Sequence, residues 1–379
     1  MLNVLLTGAV SFIITFLAIP AIIKVAREKK LFDMPDARKL HSRPIASLGG
    51  VGIFLGFLIA CLLSVSSGFN PEFQYFFAAA IIIFFLGLKD DILILSASKK
   101  FLVQMAAAAI IIHLGNIRID SMYGILDIYE LPQAVSIIIS YITIIVIINA
   151  FNLIDGVDGL AASLGLMTMA IFGTYFYLVG LPAYSLLAFA MAGSLAAFLI
   201  FNYHPAKIFM GDSGSLLLGL VNAVLVIKFI TVASVPATAF SIGSAVAVGF
   251  AILIVPLFDT LRVFSIRIFK GRSPFSPDRN HIHHLLLDRG WNHRSVTICC
   301  LLLNIMFIAF AYFGSSIGST YLILSMIVVS FALIGGLIYF KKRAARMVIA
   351  SSFKHNKGVS IQSATKVVSL KNEAAAIEQ

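Results

Sequence analysis

The sequence predicts an all-α integral membrane protein with about eleven transmembrane helices, on three observations. Of 379 residues 60% are hydrophobic, with a mean hydropathy of +1.00. Only 12% are charged, against about 25% in a soluble domain. Apolar stretches close to the roughly 20 residues that a bilayer requires recur along nearly the whole chain.

The apolar segments run over about 3–23, 49–67, 73–88, 101–115, 134–151, 160–180, 183–201, 214–231, 237–258, 297–314 and 319–340. The first has no basic region before it and runs into Lys24-Val25-Ala26-Arg27 instead of a small-residue cleavage site. It therefore reads as a retained span and not as a signal peptide. Between spans the basic residues alternate. Of 28 Lys and Arg, 26 fall in 24–48, 89–100, 152–159, 202–213, 259–296 and the tail. The opposite connections hold only Arg118, and Lys228 lies near the end of a span. The positive-inside rule then places the N-terminus outside, the C-terminus in the cytoplasm and the chain, multi-pass, in the inner (plasma) membrane.

The 116–133 connection alternates apolar and polar residues around Gly124, which predicts a short external β-hairpin. Domain organisation reads as one polytopic unit, 1–340, followed by a basic to polar cytoplasmic tail, 341–379, expected to be disordered. The net charge of +11 fits contact with anionic membrane lipids and topology, not nucleic acid. Cys61, Cys299 and Cys300 sit in apolar segments without metal spacing and read as helix fillers. The sequence is compatible with a homodimer and fixes no oligomeric state.

Acids beside a membrane core are costly and point to function. Asp90 and Asp91 follow the third span, Asp155 and Asp158 the fifth, and Asp212 precedes the eighth; Asp259 ends the ninth, and Asp278 lies beyond it. The predicted topology puts all seven on the cytoplasmic side. A single acid at a helix end is ordinarily a solvated cap. Adjacent carboxylates, however, repel unless a cation neutralises them. Carboxylate and amide oxygens with few other ligand types suit Mg²⁺ or Mn²⁺, with positions left for substrate phosphates.

In Phe209-Met210-Gly211-Asp212-Ser213-Gly214-Ser215 two glycines allow close backbone approach. The helix start that follows offers N–H groups to an anion. Phe209 stands where intramembrane aspartyl proteases carry the first Gly of Gly-x-Gly-Asp, which excludes that class. The loop Asp278-Arg279-Asn280-His281-Ile282-His283-His284 has neither Cys nor an i, i+4 His pair, so it suits a diphosphate better than zinc.

Together, blocks 31–52, 87–104, 149–161, 202–215 and 256–284 resemble the polyprenyl-phosphate N-acetylhexosamine-1-phosphate transferases of glycosyltransferase family 4. His281-Ile282-His283-His284 is similar to the His-x-His-His of the bacterial branch acting on UDP-N-acetylglucosamine. The phospho-N-acetylmuramoyl-pentapeptide transferases carry three consecutive histidines there. The resemblance implies transfer of a sugar-1-phosphate from a UDP-N-acetylhexosamine to undecaprenyl phosphate, releasing UMP. The lipid-linked sugar so formed would initiate a cell-envelope polysaccharide.

It also implies roles. Asp90 and Asp91 would be catalytic, engaging and deprotonating the lipid phosphate. Asp212, with Asn152, would bind Mg²⁺. Lys100 would contact phosphate, Phe209 would stack on uracil, and Asp158 would lie near the same base, with Asp155 also in the substrate site. Arg279, His281, His283 and His284 would meet sugar and diphosphate. His41 and Arg43 belong to a first-loop substrate motif. The rival from another class is a proton-coupled transporter, which predicts acids in mid-span and paired broken helices. Neither pattern is visible here.

Overall fold

The computed structural model describes residues 2–33, 44–64, 71–236, 240–271 and 281–355. Helix α1 (Leu2–Glu28) leads to strand β1 (Phe32–Asp33), which pairs antiparallel with β2 (Ile45–Ala46). Next come α2 (Gly49–Ser64), α3 (Pro71–Ile92) and α4 (Ala97–Ala109), the last extended by a π-helical turn, Ile110–Leu114. Strands β3 (Ser121–Ile125) and β4 (Ile128–Glu130) pair antiparallel. Helices α5 (Gln133–Ile154), α6 (Leu160–Leu178), α7 (Pro182–Asn202) and α8 (Gly211–Ala233) follow. The chain continues with α9 (Ala245–Ile252), α10 (Ile254–Phe269), α11 (Ile282–Leu287), α12 (His293–Phe313) and α13 (Ser319–His355). It divides into two compact units, 1–326 and 327–379, and the site described below lies in the first.

Among the described residues eight helices are long and apolar enough to cross a membrane, or nine if α9 and α10 count as one span. The protein is thus a mostly helical, multi-pass membrane protein. Helix α2 has 16 residues and falls short of the length of the others.

The ninth apolar segment departs from the straight span expected. The chain bends by 79° between α9 and α10 because Leu253 is not helical (φ −107°, ψ 13°). In an unbroken helix the Pro256 ring would strike the carbonyl of Ile252. Backbone groups freed inside a bilayer need new partners, and Asn304 of α12 supplies them. Its amide donates to the carbonyls of Ala251 (3.2 Å) and Ile252 (3.1 Å) and accepts the Val255 N–H at 3.3 Å.

The centre of the first unit is α8, which packs on α2, α3 and α5. Of its apolar window 83% is buried, against 22% for α1, so α1 faces lipid where α8 faces protein. Between α1 and α7 the contact is made by small residues and hydroxyls. Ser11 Oγ donates to the Ala190 carbonyl and lies 2.6 Å from Ser194 Oγ, while Thr15 Oγ1 ties α1 to α2 by donating to the Gly52 carbonyl.

Helix α13 continues through 341–355, where the sequence reading expected a disordered tail. His41, Arg43, Asp278 and Arg279 lie outside the described residues, as do 356–379.

Candidate active site

Five segments meet at one cavity of about 480 Å³. They are the segment before α2, the last turn of α3 with the residues after it, the α5–α6 turn, the stretch from the end of α7 to the start of α8, and the α11–α12 region. Asp90, Asp91, Asn152, Asp155, Asp158, Phe209, Asp212 and His284 line it, with Ser47, Asn202, Ser215 and His293. The acids were placed at helix ends by sequence, and the fold brings those ends together.

Close packing of α3 on α8 sets the geometry. A Cβ on Gly87 would stand 2.4 Å from the Asp212 carbonyl oxygen, so no larger residue fits. Gly211 has φ +70°, a left-handed conformation that glycine adopts without strain, and a Cβ there would lie 2.7 Å from the Asp91 carboxylate. This approach lets Asp91 accept the N–H groups of Asp212 (2.7 Å) and Ser213 (3.0 Å), and the Ser213 hydroxyl at 2.7 Å. The acid at the α8 N-terminus is the protein's own Asp91, which takes the N–H groups of Asp212 and Ser213, where the sequence suggested a site for a substrate phosphate.

Lys100 bridges two acids. Its Nζ donates to Asp212 Oδ2 at 2.7 Å and also pairs with Asp90 Oδ2. Asp90 further accepts the Leu95 N–H at 2.7 Å. Asn152 Nδ2 lies 2.9 Å from Asp212 Oδ1 and 3.0 Å from Ser215 Oγ. One turn deeper Gln104 and Asn149 pair through their amides, Asn149 Nδ2 donating to Gln104 Oε1 at 2.8 Å. This pair fixes α4 to α5 below Lys100 and Asn152.

The two acids of the α5–α6 turn differ sharply. Asp155 has no hydrogen-bond partner among the described residues. Burial, then the charges of Asp212, Asp91 and Asp158, hold its carboxyl well above the usual carboxylate range. Burial also pushes Asp158 upward, but hydrogen bonds from His293, His204 and the Ala206 N–H outweigh it and hold the carboxyl below its usual value. His204 Nδ1 sits 2.7 Å from Asp158 Oδ2, and Ala206 N–H donates to the same oxygen at 3.2 Å.

The histidine loop separates into roles that its spacing could not reveal. His281 Nδ1 lies 2.8 Å from Asp259 Oδ2, and Asp259 Oδ1 accepts the Ile282 N–H at 2.8 Å and Arg262 Nη2 at 3.3 Å. His283 is buried against the α5–α6 turn: a Cβ on Gly156 would stand 2.5 Å from its Nε2. Burial pushes the His283 imidazolium down to about 3, so this ring is neutral at pH 7. Only His284 of the three lines the cavity. His281 and His283, expected to contact sugar and diphosphate, are buried and do not line this cavity.

Sequence reasoning gave no role to Asn202, His204, Ser215 or His293. The His204 and His293 signals were present only as isolated histidines near the blocks, since their shared partner Asp158 is remote in sequence from both.

A glycosyl transferase family 4 model matches residues 73–230. The chain is 34% identical over 342 residues to a decaprenyl-phosphate N-acetylglucosaminephosphotransferase of Mycobacterium leprae, covering 82% of each chain. It is 33% identical over 319 residues to a probable undecaprenyl-phosphate N-acetylglucosaminyl 1-phosphate transferase of Bacillus subtilis, 81% of this chain and 84% of the relative. It is 27% identical over 348 residues to an undecaprenyl-phosphate alpha-N-acetylglucosaminyl 1-phosphate transferase of Escherichia coli K12, 89% and 92% of the two chains. The fold and site thus define a polytopic membrane transferase. The chain belongs to glycosyl transferase family 4, among the polyprenyl-phosphate N-acetylglucosaminephosphotransferases.

Proposed function

We propose that the chain transfers N-acetylglucosamine-1-phosphate from UDP-N-acetylglucosamine to undecaprenyl phosphate, at the cytoplasmic face of the plasma membrane, to start a cell-envelope polysaccharide. The carrying observation is the convergence of Asp90, Asp155, Asp158, Asp212 and Asn152 on one cavity at the helix ends, with Lys100 bridging Asp90 and Asp212. The alternation of basic loops supports a cytoplasmic site and an external N-terminus.

Two anions must meet in this reaction, and their repulsion is the first barrier. The donor set of Asp212, Asn152 and the neighbouring carboxylates is rich in hard oxygen and fits Mg²⁺ or Mn²⁺. Asn152 would present its amide oxygen by a simple flip. Such an ion would neutralise phosphate charge. Lys100, already between Asp90 and Asp212, adds a fixed positive charge where phosphate oxygens gather.

A lipid phosphate oxygen then forms a bond to the phosphorus nearer the sugar. The bond from that phosphorus to the bridging oxygen breaks, and the electron pair leaves with UMP. Any residual proton on the lipid phosphate goes to a carboxylate. Asp90, paired with Lys100, and Asp91, bonded to three α8 donors, border the same cavity; we assign the proton to Asp155, which has no hydrogen-bond partner among the described residues and whose proton affinity is raised. Catalysis is chiefly positioning and charge neutralisation.

An apolar groove of about 320 Å³ runs from Ile119 and Met122 past α5 and α8 to Leu257 and Leu261, beside the α9–α10 bend. It suits a polyprenyl chain. The reaction is tested with purified protein, undecaprenyl phosphate, Mg²⁺ and radiolabelled UDP-N-acetylglucosamine. Label should enter butanol-extractable lipid only when Mg²⁺ is present; label that appears only with another UDP-N-acetylhexosamine would reassign the sugar.

A further inference from the structure

The hairpin of β3 and β4 stands at the opposite end of α5 from the polar cavity, yet it belongs to the apolar groove. Ser121, Met122, Tyr123 and Ile125 of β3 line that groove; β4 does not, and its Ile128 and Tyr129 are exposed. Side-chain hydrogen bonds seat the hairpin against its neighbours. The Ile119 N–H donates to Ser140 Oγ at 2.8 Å, and Ser136 Oγ donates to Asp120 Oδ1 at 3.1 Å. Arg118 Nε donates to the same Asp120 oxygen at 2.7 Å, and at the turn the Leu126 N–H donates to Thr320 Oγ1 at 2.8 Å. Ser136 and Ser140 are both buried. Ser140 lies seven residues into α5 from Gln133, about 10 Å along the helix axis. The entry to the hairpin thus sits well down the helix and not at its tip. Tyr123, Leu126 and Asp127 have φ of +47°, +52° and +59°, conformations that non-glycine residues keep where their surroundings impose them. Irregular backbone at such a depth is tolerated where protein encloses it or where it lines a cavity, which is its situation here.

The hairpin forms one end of the groove, and Leu257 and Leu261 of α10 lie toward the other. Between them the α5 lining runs from Ile139 to Ile147, and Asn152 at the polar cavity follows within the same helix. Twelve residues of α5 separate Asn152 from Ser140, about 18 Å of helix. A lipid with its phosphate in the cavity would therefore meet the hairpin after its first few isoprene units. The groove volume of about 320 Å³ stands at the lower limit of sites that enclose a drug-sized molecule, about 300 Å³. Most of an undecaprenyl chain must lie outside it. We infer that the hairpin is the end wall of the acceptor groove, with Met122 a specificity-determining residue that sets how many isoprene units are read. Apolar recognition grows with the area removed from water, so affinity should climb with chain length only until the chain reaches Met122. This inference rests on the lipid-acceptor reading above.

The test compares geranyl, farnesyl, heptaprenyl and undecaprenyl phosphates as acceptors for the purified full-length protein, in wild type, Met122→Trp and Met122→Ala. Native mass spectrometry reads the acceptor bound, and transfer kinetics with Mg²⁺ and UDP-N-acetylglucosamine read KM. Wild-type affinity should rise from geranyl phosphate to the chain that fills the groove, then differ by less than about twofold between heptaprenyl and undecaprenyl phosphate. Met122→Trp shortens the groove and should raise KM for both long acceptors about tenfold. Met122→Ala removes a contact without crowding the hairpin and should raise it about threefold. Neither variant should move KM for geranyl phosphate or UDP-N-acetylglucosamine, as a general disturbance of the fold would. Three results would each overturn the inference while transfer by wild type kept the reaction standing. They are unchanged KM for the long acceptors in the folded variants, equal shifts for short and long chains, and affinity that keeps climbing from heptaprenyl to undecaprenyl phosphate. Long-chain binding that depends on Met122 in a protein unable to transfer N-acetylglucosamine would support the inference and remove the reading of the reaction.

Discussion

Asp155 and Asp158 stand three residues apart on one turn, but one lacks any partner among the described residues and the other is held by two imidazoles and an N–H. If Asp155 takes the proton, its charged form is the active one. The rate should then fall as pH drops through its raised pKa, a limb lying above the ~3.9 of a free aspartate. Asp155→Asn should abolish that limb and lower kcat by about 10²–10⁴-fold, followed as transfer rate against pH. Because the raised pKa means that ionisation is disfavoured in the folded state, the same variant should unfold at a higher temperature than wild type at alkaline pH and match it at low pH. A kcat loss with the acid limb intact would assign the proton elsewhere. For Asp212→Asn, which removes a carboxylate from the oxygen-rich donor set but keeps a partner for Asn152, lipid label should vanish at every Mg²⁺ concentration, with the protein still eluting as wild type on gel filtration.

At the scale of elements, helix ends and breaks do the positioning. The 79° bend at Leu253 leaves backbone groups inside the membrane that only Asn304 reaches among the described side chains. Asn304→Leu keeps the volume and removes all three bonds. Unsatisfied groups in hydrocarbon are costly, although single membrane hydrogen bonds average only ~0.6 kcal/mol. Three lost together should destabilise by about 2 kcal/mol, read as a lower unfolding midpoint in detergent. An unchanged midpoint would mean that the bend is held by packing alone. The α3–α8 crossing makes a sharper demand. Gly87→Ala puts a methyl group 2.4 Å from the Asp212 carbonyl oxygen and should cost about 1–3 kcal/mol while separating Asp91 from its α8 donors. Activity should fall more than stability does.

For the whole molecule, the apolar groove and the polar cavity divide the two substrates. Val246→Trp fills the groove, which Val246 lines. It should raise KM for undecaprenyl phosphate several-fold and leave KM for the UDP-sugar unchanged; equal effects on both would remove the groove from lipid binding. Orientation is checked by cysteines placed at Asp127 and Lys270. An impermeant maleimide should label the first in intact cells and the second only after lysis.

By itself the sequence determined the membrane class, the family and the residues that gather at the site. Those properties live in local signals: apolar runs of bilayer length, basic residues on alternate connections, and short blocks such as Asn149 to Gly159 and Phe209 to Ser215. Tertiary structure alone decided what each residue touches. It set Asp91 on the N–H groups of Asp212 and Ser213, His281 on Asp259, and His283 behind the α5–α6 turn. It also bent a span that composition read as straight, and brought His204 and His293 onto Asp158. The physical reason is that hydropathy reports the solvent around a segment, whereas a hydrogen bond 46 or 135 residues long in sequence depends on how helices pack, which no local pattern encodes.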